Sequence, residues 1–264
     1  MSEASHPGRA GATTSSIRLY TQSMNPFSER VAAALGLKGL PFERVVSDDP
    51  EDVRRWSPIA RTLPVLEIDG RRKADSPRIL EWLDTLHPDP PLYALDPKTA
   101  SAQRSLADWT DSSLLFYWNR WRAARYPRPG DDRPVDDSLL ARLRDQIARP
   151  FGRTPRTRAE ARELEIIQQL VARLDDLEGF LRDRPFFHAD EPSGADVAVY
   201  AMLRVLRAGT IPHCADALAA RARLVAYLER MESRIRPLEA RTGPVDGDAR
   251  DGVATRGEPF GSGV

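Results

Sequence analysis

Residues 62–70 read TLPVLEIDG, and residues 74–84 follow as ADSPRILEWLD. Pro64–Ile68 is a short apolar run of the kind a buried strand shows, and Asp69-Gly70 is a two-residue hairpin signal ahead of a partner strand, Arg71–Ala74. Pro77–Leu86 then places Ile79, Leu80, Leu83 and Leu86 at helical spacing. Upstream, Ile17–Thr21 (IRLYT) reads as a strand, and Pro26–Leu37 as a helix with apolar residues at 27, 31, 34, 35 and 37. Phe42–Val46 reads as a second strand and Glu51–Trp56 as a short helix. The order is βαβ, then α, then ββα, which is the plan of a thioredoxin-like domain over residues 17–86.

Downstream the character of the chain changes. Residues 87–98 (HPDPPLYALDPK) carry four prolines and read as a linker. Residues 99–236 read as helices almost throughout, with candidates at Ala100–Ala124, Asp137–Ala148, Arg158–Asp183, Ala195–Ala208 and Asp216–Arg234. Proline-rich breaks fall at 127–134 and 150–155. The expected fold class is an α/β thioredoxin-like N-terminal domain followed by an all-α helical-bundle C-terminal domain. Residues 1–16 lack the apolar core of a secretory signal and read as a disordered arm, and residues 237–264 as a flexible tail.

Composition narrows the function. The chain has 264 residues, with 39 basic and 39 acidic side chains. A balanced charge argues against a nucleic-acid binder working through a general basic field. One cysteine rules out an internal disulfide, and with four histidines it makes no Cys/His zinc site, so no metal is expected. No apolar run reaches the roughly 18–20 residues of a membrane span. A cytoplasmic protein with no membrane or nucleic-acid partner is the expectation. Only three basic residues are lysines, Lys38, Lys73 and Lys98, a pattern read as codon bias.

Three short motifs can hold a ligand or merely shape the backbone. Leu63-Pro64 is either a cis bond that turns the polar groups of Leu63 toward a site, or a trans proline that opens a strand. Ser76 is an N-cap candidate with Pro77 at the first helical position. A carboxylate would sit well at that N-terminus, and Asp75 beside it can pair with an ammonium. The plain alternative is a cap with a solvated Asp. Asn25-Pro26 likewise reads as a cap and first helical residue. Ser193-Gly-Ala-Asp196 has capping-box spacing and reads as structural.

Four stretches, LYTQSMNPFSERV (19–31), TLPVLEIDG (62–70), ADSPRILEWLD (74–84) and RPFFHADEPSGADVAVY (184–200), resemble the cytosolic glutathione transferase family in this order and spacing. The resemblance covers about residues 17–236 and is nearest in motif to omega-like and bacterial members. It implies a cis Leu63-Pro64 bond whose backbone pairs with the cysteinyl part of glutathione. It also implies that Asp75 and Ser76 hold the γ-glutamyl end, and that Phe27 belongs to the same site. The family stabilises the glutathione thiolate with a hydroxyl or thiol near the end of the first strand. Here Asn25 stands at the usual Cys or Ser position, offering an amide donor and no covalent chemistry. Ser23 and Thr21 are hydroxyl alternatives, and Ser28 a poorer one. Cys214 lies far off in the helical part, so thiol–disulfide exchange by a residue of the protein is not expected.

Two departures bear on glutathione. Five residues separate Pro58 from Pro64 where the family usually has four, so the loop with Arg61 and Thr62 is expected to differ. Where omega-like members carry a lysine for the glycyl carboxylate, this chain has Ser47-Asp48-Asp49, leaving Arg54, Arg55 or Arg61 as substitutes. The family builds its cosubstrate pocket from the first helices of the second domain. The matching stretch, residues 106–127, is rich in aromatics, and Tyr117, Trp118 and Trp121 are the expected wall for a small apolar electrophile. Tyr117, Trp121 and Arg125 are spaced to share one helix face, and Arg122 shares a face with Trp118.

The resemblance implies a glutathione transferase, paired as a homodimer, in which glutathione is cosubstrate and nucleophile. The alternatives are a non-catalytic binding or assembly module on the same fold, or a glutathione-dependent lyase, reductase or isomerase.

Overall fold

The computed structural model describes residues 15–126, 128–134 and 155–235. The expected helix at 137–148, the break at 150–155 apart from its last residue, and the tail lie outside these residues, as does the arm apart from its last two.

The first layer is a four-stranded sheet. Its strands are β1 (Ile17–Thr21), β2 (Glu43–Val46), β3 (Val65–Ile68) and β4 (Arg71–Ala74), in the order β2-β1-β3-β4. β1 pairs parallel with β2 and antiparallel with β3, where Leu19 lies opposite Leu66, both fully buried. A parallel pair needs a crossover, and α1 (Pro26–Leu37) supplies it. β3 and β4 form the expected hairpin, with Asp69 and Gly70 both at positive φ, 49° and 78°, as a primed turn requires. α2 (Pro50–Trp56) and α3 (Ser76–Leu86) complete this half.

The helical half differs from the sequence reading in two places. The expected helix 100–124 is α4 (Pro97–Thr110), a π-helical turn at Asp111–Leu115, and α5 (Phe116–Ala124). The expected helix 216–234 is α8 (Cys214–Ala219) and α9 (Ala222–Arg234), interrupted where Arg221 N–H turns back onto the Leu218 carbonyl. α6 (Arg158–Leu181) and α7 (Gly194–Arg207) fall within two residues of expectation.

The halves share one core. α1 packs along α7, its buried Ala32, Ala33, Ala34 and Leu35 allowing close approach. Glu29, nearly buried, accepts from Arg44 at 2.6 Å and from Arg204 at 2.8 Å, tying α1 to β2 and to α7. The proline-rich connection is pinned by Lys38. Its buried ammonium donates to the carbonyls of His87 and Pro90 and meets Asp84, all at 2.7 Å. Further on, Gly194 is packed so closely under Tyr93 that a Cβ there would come within 2.7 Å of the ring.

The capping box at 193–196 forms as expected. The Asp196 carboxylate accepts from the backbone N–H of Phe187 and Ser193, both at 2.9 Å, from the Ser193 hydroxyl at 2.8 Å and from the Tyr227 hydroxyl at 3.3 Å. Burial pushes its carboxyl up to about 6, against those four donors, which pull the other way.

Candidate active site

Two adjoining cavities open between one end of the sheet's strands and α5. The larger, about 620 Å³, is lined on the thioredoxin-like side by Asn25, Phe27, Leu63, Pro64, Asp75 and Ser76, with Arg61 and Thr62 at the loop. Asp111, Asn119 and Arg122 close it from the helical side. The smaller, about 380 Å³, is lined by Ser23, Met24, Asp48, Trp118, Trp121, Arg125 and Tyr126 among others. Gln22, Asn25 and Arg122 border both, so Asn25 stands at the junction.

Asn25 is the N-cap of α1, and Pro26 follows it at the first helical position. Its Oδ1 accepts from the N–H of Phe27 at 2.9 Å and of Ser28 at 3.4 Å. The orphan amides of the first turn thus fix the side chain. Its Nδ2 group donates to none of the described residues and is the part left for a ligand. Thr21 turns its hydroxyl to the Gln22 carbonyl, and Ser28 Oγ is buried with no partner among the described residues.

Ser23 belongs to the smaller cavity only. Its hydroxyl donates to Asp48 at 2.8 Å and its N–H to the other oxygen at 3.1 Å. Asp49 caps α2 through the N–H of Glu51 at 2.8 Å. The acidic pair at 48–49 is therefore occupied locally, and neither residue lines the larger cavity.

At α3 the cap is Asp75, not Ser76. Asp75 sits at φ 75° and accepts the Arg78 N–H at 3.3 Å, while Ser76 is the first helical residue and Pro77 the second. The positive φ turns the chain one residue earlier than the Ser-Pro pair suggests. One Asp75 oxygen carries the cap and the other bonds none of the described residues. Ser76 is buried, and its Oγ bonds none of the described residues. The Leu63-Pro64 bond is cis, and so is Asp89-Pro90, which the sequence reading did not single out.

Of the expected aromatic wall, Trp118 and Trp121 line the smaller cavity and Tyr117 lines neither. Tyr117 is set about 100° around the helix from Trp118 and packs edge-on against Phe116, centroids 5.2 Å apart. Phe27 meets Trp118 edge-on at 6.0 Å, joining the two cavities through one contact. The Trp121 indole N–H donates to Glu163 at 2.9 Å. The face sharing read from spacing appears as two stacks, Arg122 over Trp118 at 4.8 Å and Arg125 over Trp121 at 5.0 Å.

The sequence agrees with this geometry when set against known proteins. Residues 25–86 match the family model for the N-terminal domain of glutathione S-transferases, and residues 171–231 match that for the C-terminal domain. The chain belongs to the cytosolic glutathione S-transferase superfamily. It is 31% identical over 103 residues to glutathione S-transferase U2 of Arabidopsis thaliana, a stretch covering 38% of this chain and 46% of that protein. The chain thus spans about half the length of such curated relatives. Among solved structures it is similar to a glutathione transferase homologue from Sulfitobacter with bound glutathione, with a TM-score of 0.60 at 18% identity over 83% of this chain and 93% of that one. It is also similar to rice GST1 in complex with glutathione, with a TM-score of 0.59 at 21% identity over 86% and 92%. These two likenesses are of fold.

Within this superfamily frame, the sequence reading missed Arg122, Asn119 and Asp111 as lining residues. Their signal was weak, because the π-helical turn at 111–115 resets which side chains of α5 face the sheet. Asp111 is held by Arg30, a buried guanidinium that forks onto both of its oxygens. Of the three arginines offered for a glycyl carboxylate, Arg54 pairs with Glu51 and Arg55 with Asp52. Arg61 lines the larger cavity and pairs with no carboxylate among the described residues. Cys214 is fully buried and burial pushes its thiol up to about 12, so it supplies no thiolate. Among the described residues no helix is long and apolar enough to cross a membrane, and no three His, Cys, Asp or Glu side chains are grouped to hold a metal.

Proposed function

We propose that the chain binds glutathione in the larger cavity and holds its thiolate for attack on an electrophile seated in the smaller one. One observation carries this reading. A single cavity gathers groups complementary to each charged end of the tripeptide, with an amide donor at the junction. The free oxygen of Asp75 takes the γ-glutamyl ammonium. The γ-glutamyl carboxylate goes to the N-terminus of α3 at Ser76, on that residue's own N–H and a hydroxyl that bonds none of the described residues. The backbone of Leu63 pairs with the cysteinyl residue, and Arg61 takes the glycyl carboxylate.

Asn25 Nδ2 then donates to the thiolate. A free thiol has a pKa of about 8.5. One hydrogen bond to a charged acceptor contributes about 1.5–3 kcal/mol, enough to lower that by roughly one to two units. The protein contributes position and this donor, and the sulfur is the cosubstrate's own.

Calorimetric titration of reduced glutathione tests the proposal. It requires saturable binding of one ligand per chain, at millimolar affinity or tighter. No heat and no shift in melting temperature at several millimolar would remove it. A binding module without chemistry is the second reading, and one observation favours it. Asn25 Oδ1 is engaged in capping and the Ser23 hydroxyl in Asp48, so a lone amide is left to activate sulfur. Glutathione binding with no acceleration of any electrophile would select it. The homodimer is also proposed, and light scattering of the purified chain decides it.

A further inference from the structure

We infer that the smaller cavity takes an electrophile bearing a carboxylate or a comparable anionic group, rather than a purely apolar one. The nature of the reaction rests on the transferase reading above, whereas the charge preference rests on the smaller cavity alone. Trp118 and Trp121 border it, yet each is only 3% exposed. Arg122 and Arg125 lie over their rings and themselves line the cavity. The indoles are therefore the floor, and a ligand meets guanidinium first.

Stacking on an indole fixes the plane of a guanidinium and leaves its N–H edge free. That edge is the geometry that grips a carboxylate through two parallel hydrogen bonds. Neither arginine has an acidic partner among the described residues. Nearby arginines do, since Arg30 holds Asp111 and Arg162 holds Asp131. The acid on this cavity, Asp48, has both oxygens engaged by Ser23. Two unpaired cations thus stand against one occupied anion, at the junction where Asn25 would present the sulfur.

An aryl halide with a ring carboxylate fits these terms. The thiol proton leaves to solvent, the sulfur–carbon bond forms, and the carbon–halogen bond breaks as halide departs with its electron pair. The carboxylate stays on the guanidinium edges throughout.

The test uses the full chain and two probes of nearly equal shape, 4-chloro-3-nitrobenzoate and 4-chloro-3-nitrobenzamide. Each is titrated calorimetrically, without glutathione, into the native protein and into Arg125→Gln and Arg122→Gln. Both variants sit on an exposed helix face, and melting curves check that they fold. The benzoate is expected to bind at least about tenfold tighter than the amide, the worth of one charge-assisted hydrogen bond. That preference should shrink in each variant and weaken as salt rises. Equal affinities, no binding of either probe, or a preference unmoved in both variants would overturn the inference.

Turnover with glutathione, divided by each probe's uncatalysed rate, separates the two readings. A benzoate preference in binding, with no turnover and no glutathione binding, defeats the transferase reading and leaves this one standing. Glutathione binding with equal normalised turnover of both probes does the reverse.

Discussion

The N-termini of α7 and α1 are built from similar parts. Each is preceded by a polar residue, each has its first turn capped by a side-chain oxygen, and each is buried where the two halves of the protein meet. At α7 every valence of the cap is filled. Asp196 receives four donors and is fully buried, and two of them come from elsewhere in the chain, the Phe187 N–H and the Tyr227 hydroxyl. At α1, Asn25 accepts two donors and its own amide N–H group finds no described residue to receive it. Asp75 at α3 is intermediate, with one oxygen bonded and one open. A closed cap stabilises the fold, and a cap with a valence left over facing a cavity is open to a ligand.

Removing the closed cap should have the largest effect. Asp196→Ala leaves buried donors unpaired, and urea unfolding should show a loss of about 3 kcal/mol or more. A loss below about 1 kcal/mol would mean that those donors find other partners once the carboxylate is gone.

The same carboxylate gives the next test. Its pKa is raised from 3.8 to about 6, so between those values the native state holds more protons than the unfolded one. Stability from this group is full below 3.8 and is lost as pH rises through about 6. The difference in unfolding free energy between native protein and Asp196→Asn should therefore fall by about 3 kcal/mol from acid to neutral pH. A flat difference would show that the carboxyl titrates in the native protein as it does in the unfolded chain.

The open caps should respond in binding. Asp75→Asn is expected to weaken glutathione by about tenfold or more, since a charge-assisted pair contributes about 1.5–3 kcal/mol, read by calorimetry. Asn25→Ala should change affinity less and instead raise the pKa of the bound thiol by about one to two units, followed by thiolate absorbance against pH. It should also lower stability by about 1 kcal/mol through the lost cap. If both substitutions weaken binding equally with no change in thiol titration, the separate roles of the two caps collapse.

Much of this was readable from residue order. The alternation of strands and helices, the Asp69-Gly70 turn and the capping box all carry local signals of turn chemistry or spacing, whereas the cis bond at Pro64 followed from the family resemblance and not from the residues alone. What escaped depended on neighbours far along the chain. Nothing at Thr110-Asp111 announces a π-helical turn, yet that turn sets which side chains of α5 look at the sheet. No glycine or proline marks the interruption between α8 and α9 at Ala220-Arg221. The positive φ of Asp75 moved the cap by one residue, and only the folded chain shows that Arg122 and Arg125 cover the tryptophans beside them. The Lys38 ammonium looked like an incidental survivor of an arginine-rich composition. Folded, it fastens the connection between the two halves.

Asn25 has one more consequence. An amide at the mouth of the cleft, with the chain's one thiol sealed inside the helical half, leaves the site no thiol of its own to oxidise or alkylate. On the proposed reading, peroxide or a reactive halide that would silence a cysteine at that position would act instead on a diffusible cosubstrate, which the next molecule replaces.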